Sequence, residues 1–323
     1  MRALPLLPLL PLLLGSCLSV PALAASDASQ WLNRLAQAEQ QQSYQGTFVY
    51  ERNGSFSTHD IWQRAQNGKV TERLLQLDGS AQEVVRVDGR TQCVSGTLVS
   101  GVKQQAPSAA PHGLDPLKLM SWYDLAVAGQ SRVAGRDATI VTLTPKDQHR
   151  YGFELHLDSQ TGLPLKSLLL DDKGRLLERF QFTRLDPSAP GDADLAPSDN
   201  CKPLGPAVAA APAAPANARW RSDWLPPGFE LANSAVRKDP DSKTTVTSLM
   251  YDDGLARFSV FLEPLNGTSG LDTRTQLGPT SAVSRRLTTP KGDVMVTVVG
   301  EIPIGTAERI ALSMRAQDAQ AKN

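Results

Sequence analysis

The four histidines, His59, His112, His149 and His156, are the side chains best suited to metal chemistry in this sequence. A zinc site would need a His-Glu-x-x-His arrangement, or a histidine with thiolate neighbours at ligand spacing. Neither pattern occurs along the chain. We therefore predict no metal site and no cofactor.

Serine and carboxylate motifs offer little better support for catalysis. Gly267-Thr-Ser-Gly270 lacks the Gly-x-Ser-x-Gly pattern of a nucleophile turn, and the sequence indicates a solvated loop there. Asp171-Asp172 and Asp252-Asp253 each precede a glycine, and adjacent strand residues point to opposite faces, so both pairs favour turns. We predict no catalytic residue and a protein that is not an enzyme. An exported hydrolase with an unfamiliar site stays open as an alternative.

The N-terminus resembles a secretory signal peptide. Met1-Arg2 precedes a Leu/Pro run to Leu14, and the small-residue site Ala22-Leu23-Ala24 follows, which predicts a signal peptide over residues 1–24. Cys17 lies in Leu14-Gly15-Ser16-Cys17, an approximate lipobox, so it is either acylated as a membrane anchor or removed. We favour cleavage after Ala24, which gives a soluble periplasmic protein.

Removal of the signal peptide leaves Cys93 and Cys201 as the remaining cysteines. An exported protein meets an oxidising compartment, so we expect these two thiols to form a disulfide, although their spacing does not establish proximity. The charge is balanced, with 33 basic and 33 acidic residues. This balance leaves no basic footprint for nucleic acid, and we predict no nucleic-acid partner.

Hairpin signals dominate the first two thirds of the chain. Tyr151, Phe153, Leu155 and Leu157 alternate with polar residues, which predicts a strand with one apolar face. Asn53-Gly54, Asn67-Gly68 and Asp88-Gly89 are two-residue hairpin turns. Apolar residues at helical spacing predict a helix over 28–42. Asp115-Pro116 and the apolar residues that follow predict a helix that begins there and covers 117–125. A terminal helix is predicted over 306–314.

These elements predict an α+β protein with two domains. Residues 25–200 form an antiparallel half-barrel with helices, and 220–323 form a smaller α+β domain. Residues 201–219 form a linker, because Lys202 to Arg219 contains four prolines and eight alanines and almost no large apolar side chain.

Several segments resemble the MucB/RseB family of periplasmic sigma-E (AlgU-type) factor regulatory proteins. They are Trp31-Leu-Asn-Arg-Leu35, Gln45-Gly-Thr-Phe-Val-Tyr-Glu-Arg52, Val85-Arg-Val-Asp-Gly89, the Arg150 to Thr183 hairpins, Trp224-Leu-Pro-Pro-Gly228 and Gly254-Leu-Ala-Arg-Phe-Ser-Val260. The resemblance implies that the first domain looks like a lipoprotein carrier with a hydrophobic cavity. It also implies docking on the periplasmic region of a membrane anti-sigma factor of the MucA/RseA type.

The same resemblance implies a mechanism of regulation. Docking would shield the anti-sigma factor from its first protease, and a lipid, lipopolysaccharide or lipoprotein signal would release the regulator. A periplasmic lipid or lipoprotein carrier, with the second domain as a lid, is the alternative function. Whether the protein is a monomer or a homodimer stays open.

Apolar residues that share strand faces are the candidates for the lipid cavity, with an ordinary core as their alternative location. They are Phe48, Tyr50, Ile61, Trp62, Leu75, Leu77, Val85, Val87, Phe180 and Phe182. The partner-binding candidates are aromatic and apolar residues at the start of the second domain and a pair of cations. They are Trp220, Trp224, Leu225, Phe229, Arg285 and Arg286.

Overall fold

The computed structural model describes residues 21–96, 115–204, 220–238, 244–267 and 269–316, with side chains from residue 27 onward. The predicted signal sequence up to residue 20, Cys17 included, and linker residues 205–219 lie outside this part. The described residues of the first domain form three helices: α1 (Pro21–Gln41), α2 (Pro116–Leu119) and α3 (Asp192–Leu195). Its strands are β1 (Tyr44–Arg52), β2 (Ser55–Gln66), β3 (Lys69–Gln76), β4 (Gln82–Val87), β5 (Arg90–Val94), β6 (Tyr123–Val133), β7 (Arg136–Pro145), β8 (Gly152–Asp158), β9 (Pro164–Leu170), β10 (Leu176–Asp186) and β11 (Lys202–Pro203).

These eleven strands form one sheet in the order β11-β5-β4-β3-β2-β1-β10-β9-β8-β7-β6, and the neighbouring strands are antiparallel. The predicted Asn-Gly and Asp-Gly turns are confirmed, because both residues of each pair have positive φ, for example 52° at Asn53 and 74° at Gly54. A two-residue turn of this type connects adjacent strands. The β1–β2, β2–β3 and β4–β5 hairpins therefore follow from local sequence, whereas the pairing of β1 with β10 is long-range.

Helix α1 lies against the concave face of this sheet. Leu32 and Leu35 are buried in a cluster with Tyr123 and Leu143 of β6 and β7. At the other end of the helix, Gln63 of β2 donates to the carbonyl oxygens of Glu39 and Gln42, at 3.0 and 3.1 Å. Since β2 and β6 are far apart in the strand order, the sheet must curve around the helix.

The helix predicted over 117–125 is wrong in length. Asp115 caps α2 as expected, accepting from the backbone N–H of Leu117 at 3.0 Å, but the helix ends at Leu119 and β6 begins at Tyr123. Tyr123 and Leu125 pair with Pro145 and Leu143 of β7. Tertiary pairing and burial of these two side chains override the helical spacing of the local sequence.

The disulfide closes one edge of the first sheet. Cys93 and Cys201 are bonded, with their Cα atoms 5.4 Å apart, and both side chains pack against Val85. Strand β11 pairs with β5 just after Cys201. The first residues of the predicted linker therefore belong to the first sheet.

The second domain contains β12 (Trp220–Ser222), β13 (Glu230–Lys238), β14 (Thr245–Asp252), β15 (Arg257–Pro264), β16 (Thr273–Leu277), β17 (Thr280–Thr289), β18 (Gly292–Gly300), α4 (Ile304–Ser313) and β19 (Met314–Ala316). Strands β13 to β18 form a six-stranded sheet in the order β13-β14-β15-β18-β17-β16. Ile310 and Ala311 of α4 are buried against its apolar face, together with Phe258 and Val298. The predicted α+β class and terminal helix are confirmed.

A fully buried ion pair joins the two domains. Nη1 of Arg150, which precedes β8, donates to the Asp253 carboxylate in the β14–β15 turn at 2.6 Å. The same guanidinium donates to Asp147 and to the carbonyl oxygen of Pro227. Tyr151 adds a hydrogen bond from its hydroxyl to the carbonyl oxygen of Ile302, at 3.2 Å. Because a buried charge without a partner is costly, the domains can dock in this way only with Arg150 and Asp253 in contact.

Candidate ligand cavity between the two domains

A cavity of 1180 Å³ opens on the concave face of the first sheet. This volume lies slightly above the range of roughly 300–1,000 Å³ typical of small-molecule sites. The walls come from α1, from the sheet and from the second domain. The lining residues on which the argument depends are Leu32, Leu35, Ala36, Leu143, Phe153, Leu155, Phe180, Glu72, Arg86, Asp252, Leu255, Arg257 and Glu301.

The deep part of the cavity is apolar because helix spacing and strand alternation converge there. Leu32 and Leu35 lie one turn apart on α1 and face the sheet. Phe153 and Leu155 are two residues apart on β8, so both point to the concave side. Phe180 enters from β10. This surface can accept hydrocarbon but offers little to a strongly polar ligand.

Charged side chains also line the cavity, and several of them are paired. Arg86 on β4 contacts Glu72 on β3 at 2.6 Å. From the second domain, Arg257 contacts Asp252 at 2.6 Å. Glu301 accepts a hydrogen bond from Arg52 of the first domain at 3.1 Å. An apolar interior with an ionic rim suits an amphipathic ligand whose chain is buried and whose head group stays at the opening.

Of the ten lipid-cavity candidates, Phe180 is the one that lines this cavity. Phe48, Ile61 and Phe182 are buried in an adjoining cluster on the same concave face, and Tyr50 packs against it. The ring centroids of Phe48 and Phe180 are 4.7 Å apart. Phe48, Tyr50, Ile61 and Phe182 therefore belong to the core next to the cavity and do not line it. This is the ordinary core location that strand alternation left open.

The other five candidates lie away from the cavity. Trp62 faces the opposite side of β2 from Ile61 and packs under the Arg73 guanidinium, 5.0 Å from its ring centroid. Leu74, next to Leu75, is the leucine of β3 that packs on the concave cluster. The remaining positions are half-buried Leu75, exposed Leu77, Val85 beside the disulfide and half-buried Val87. Strand pairing gives the reason, since Leu74 lies opposite Ile61 and fixes which side chains face inward.

Sequence reasoning missed the contributions of α1 and of the second domain. The alternation of Phe153 and Leu155 was visible in the sequence and would have placed both on the cavity face. Leu255 had no such signal. It lies in a turn, and contact with the first domain depends on how the two domains dock.

The aromatic partner-binding candidates pack on the core of the second domain. Phe229 is buried there, and Trp220, Trp224 and Leu225 are partly buried against it. Trp224 also contacts the first domain, because its ring centroid lies 5.0 Å from that of His149. Within its own domain, the Arg309 guanidinium of α4 lies 3.8 Å from the centroid of the Trp224 ring. Burial lowers the pKa of His149 below its ordinary value, against the opposing charge of Asp147.

The two candidate cations already have acidic partners within the second domain. Arg285 is paired with Glu308 of α4, and Arg286 with Asp293 of β18. Arg286 is about half exposed, whereas Arg285 is largely covered. An acidic partner would have to compete with these internal carboxylates, so their role in partner binding stays a prediction.

The histidines of the described residues take part in hydrogen bonds. His156 lies between the Ser131 hydroxyl, 2.6 Å from Nδ1, and the Glu154 carboxylate, 2.8 Å from Nε2, on the convex face of the sheet. His59 lies 2.9 Å from the Ser57 hydroxyl. Across the described ranges, no group of three or more His, Cys, Asp or Glu side chains is arranged to hold a metal ion. No described helix has the length and hydrophobicity of a membrane span.

Comparison with protein families gives matches in both domains. Residues 27–201 match the MucB/RseB N-terminal domain, and residues 214–315 match the MucB/RseB C-terminal domain. The chain belongs to the MucB/RseB family. The likeness noted in the sequence is thus confirmed, and it spans the sheet, the cavity and the second domain.

Individual MucB/RseB relatives agree over nearly their whole length. The sigma factor AlgU regulatory protein MucB of Pseudomonas aeruginosa is 59% identical over 313 residues, which cover 96% of this chain and 98% of the relative. The sigma-E factor regulatory protein RseB of Escherichia coli K12 is 27% identical, covering 96% of this chain and 97% of the relative. In the solved Pseudomonas aeruginosa MucA/MucB complex, the matching chain superposes with a TM-score of 0.81 at 58% identity, covering 91% of this chain and 100% of that one. The chain is therefore a member of a family of sigma factor regulatory proteins.

Proposed function

We propose that this chain is a periplasmic negative regulator of an envelope-stress sigma factor of the sigma-E type. In this proposal it binds the periplasmic region of a membrane anti-sigma factor related to MucA and shields that region from its first protease. The observation that carries the proposal is the agreement, over both domains, with a relative solved in complex with MucA.

The cavity supports a second part of the proposal, that a lipid-bearing signal releases the regulator. Its apolar interior, formed by residues such as Leu32, Phe153 and Leu155, and its ionic rim fit an acyl chain with a polar head group. Such a ligand can displace a protein partner only if it binds two states of the regulator with different affinities. The position of the cavity between the domains offers such a difference.

The decisive experiment is calorimetric titration of the mature protein with the periplasmic fragment of the host's anti-sigma factor, with and without lipopolysaccharide. We expect micromolar or tighter binding that weakens when lipopolysaccharide is present. A parallel digestion of the fragment by its first protease should slow when this protein is added. Absence of binding in both conditions would contradict the regulatory function.

A pair of variants separates the two parts of the proposal. Ala36 of α1 lines the cavity, so Ala36→Trp should place an indole ring in it, retain partner binding and reduce the effect of lipopolysaccharide. Gln37 is exposed on the same helix and does not line the cavity, so Gln37→Trp is the matched control. Equal lipopolysaccharide sensitivity in the two variants would place lipid sensing elsewhere.

The paired arginines give a test of the partner surface. Arg285→Glu with Arg286→Glu should weaken binding of the anti-sigma fragment if these cations meet an acidic segment. Glu308→Gln removes the carboxylate that pairs with Arg285 and leaves the charge of Arg285 unchanged. This variant should therefore strengthen binding of the anti-sigma fragment. Unchanged affinity in both variants would exclude the two cations from the interface.

A periplasmic lipid or lipoprotein carrier is the second candidate, and the cavity is the observation that favours it. A carrier would transfer lipid from this protein to an acceptor protein, which a regulator has no need to do. Transfer of a radiolabelled acyl ligand to an acceptor, without any binding of the anti-sigma fragment, would select this function.

A further inference from the structure

The turn between β14 and β15 carries the second domain into the cavity of the first. Leu255 packs against a buried cluster of the first domain that contains Leu119, Leu143 and Leu155. Leu255, Leu143 and Leu155 all line the cavity. The Leu255 side chain therefore covers apolar surface that an acyl chain in the cavity would also contact.

The turn that presents Leu255 is held tightly by hydrogen bonds. Asp253 is fully buried, and its Oδ1 accepts from the backbone N–H groups of Leu255 and Ala256 at 2.9 and 2.7 Å. Its Oδ2 accepts from Arg150 of the first domain at 2.6 Å. Gly254 has a φ of +99°, a conformation that suits glycine, and an added Cβ would lie 3.7 Å from Leu119.

The same turn is fixed to the core of the second domain. Ala256, next to Leu255, is buried there together with Phe258. Since Leu255 is tied to Asp253 on one side and Ala256 on the other, it has little freedom to leave the cavity alone. Displacing Leu255 therefore requires movement of the β14–β15 turn. This movement would disturb the Arg150–Asp253 ion pair between the domains.

We propose that Leu255 is the residue through which an acyl chain bound in the first domain acts on the second domain. The chain and Leu255 compete for the same apolar surface, so occupancy by the ligand weakens the docking of the two domains. By linkage, docking must weaken ligand binding by the same factor. This inference rests on the lipid-binding part of the proposed function. It names the contact through which lipid binding would change the docking of the two domains.

The test combines ligand affinity with an interdomain distance in the full mature chain. A dansylated undecanoic acid serves as the acyl probe, and its fluorescence gives the affinity. Spin labels at Lys173→Cys and Lys291→Cys, exposed positions in the first and second domains, give the distance distribution while the native disulfide stays oxidised. In the otherwise unchanged protein, the probe should bind and shift the distance distribution.

Leu255→Ala should bind the probe more tightly, on the order of tenfold, because the competing side chain is gone. Its distance distribution should no longer respond to the probe. Leu255→Met retains an apolar side chain of similar volume and should behave as the parent protein does. Leu231→Ala is the matched control, because Leu231 is also a partly buried leucine of the second domain but does not line the cavity.

Two failures can be told apart in this experiment. If the parent protein binds the probe but Leu255→Ala shows the same affinity and the same distance response, the role of Leu255 is overturned and lipid binding stands. If the parent protein binds no probe, both the lipid part of the proposed function and this inference are overturned.

Discussion

The two domains use the same kind of antiparallel sheet in different ways. In the second domain, α4 covers the apolar face, and Phe258, Val298 and Ile310 fill the space between helix and sheet. In the first domain, α1 covers only part of a longer sheet, and a cavity of 1180 Å³ remains. The difference shows that a curved sheet retains a cavity where its covering helix is too small for the concave face.

The second domain, and not a further element of the first, completes the wall of the cavity. Leu255 and Arg257 of the second domain form part of its wall. The packed second domain thus supplies part of the cavity wall, and the first domain supplies most of the cavity lining. The comparison can be tested through the features that stabilise each domain.

The disulfide should give the largest effect, and it should be confined to the hollow domain. Cys93 and Cys201 are separated by 108 positions, and closing a loop of that size contributes about 4 to 5 kcal/mol in the chain-entropy model. Cys93→Ala with Cys201→Ala should therefore lower the free energy of unfolding of the first domain and leave the second unchanged. Hydrogen exchange followed by mass spectrometry in increasing urea resolves the two domains. Equal loss of protection in both would contradict independent stabilisation.

Removal of one aromatic ring from each domain should distinguish the packed core from the cavity wall. Phe258 is 1% exposed and contacts Phe229 and Tyr251, so Phe258→Ala should cost about 3–5 kcal/mol through cavity formation. Phe153 already borders empty space, and Phe153→Ala should cost less than about 2 kcal/mol. Urea denaturation measures both. Similar losses would mean that the cavity wall is packed like the core.

Breaking the buried ion pair should destabilise the junction between the domains. Arg150→Met leaves the buried Asp253 carboxylate without its cation and should cost about 3 kcal/mol. Arg86→Met breaks the more exposed Arg86–Glu72 pair at the cavity rim. It should lower the free energy of unfolding by no more than about 1 kcal/mol. Thermal unfolding of the two variants gives the comparison. A loss with Arg86→Met as large as that with Arg150→Met would show that burial of the pair is not what matters.

The smallest effect expected is a pH dependence of domain docking. Burial lowers the pKa of His149, which contacts Trp224 and lies 3.2 Å from the Thr306 hydroxyl. The docked state therefore binds fewer protons than the unfolded chain, so its stability is full above the unfolded pKa of about 6.5 and falls as the pH drops below it.

Thermal midpoints at pH 7.5 and 5.5 should thus differ more in the parent protein than in His149→Phe, which keeps the ring contact without the titration. The control is His59→Phe, because burial also lowers the pKa of His59, but this histidine lies on β2 and contacts Ser57 and Phe48 of its own domain. If His149→Phe retains the full pH dependence, the docking contact is not responsible for it.

Local patterns predicted most of the strands but not all of the elements. The Asn-Gly and Asp-Gly turns and the alternation along β8 were visible because strand faces and turn geometry depend on neighbouring residues. The Asp115-Pro116 start and the apolar bulk of Met120, Trp122 and Tyr123 predict a helix to residue 125, but long-range pairing with β7 makes a strand from Tyr123 onward. The turn predicted at Asp252-Asp253 is confirmed, because Asp253 accepts hydrogen bonds from the turn backbone. Its ion pair with Arg150, 103 residues away, cannot be predicted from the local sequence.

The sequence by itself determined the antiparallel hairpins, the α+β class and the family, because these depend on short-range periodicity and on matching segments. The pairing of β1 with β10, which joins the hairpins into one sheet, depends on the tertiary structure. Only the tertiary structure decided which apolar residues form the cavity and which fill the core. Phe48 and Phe180 share one face of the sheet, but only Phe180 reaches the opening that α1 leaves. The contact of Leu255 with the first domain was decided in the same way. Sheet curvature and domain docking bring together residues far apart in the chain, and no local pattern encodes that contact.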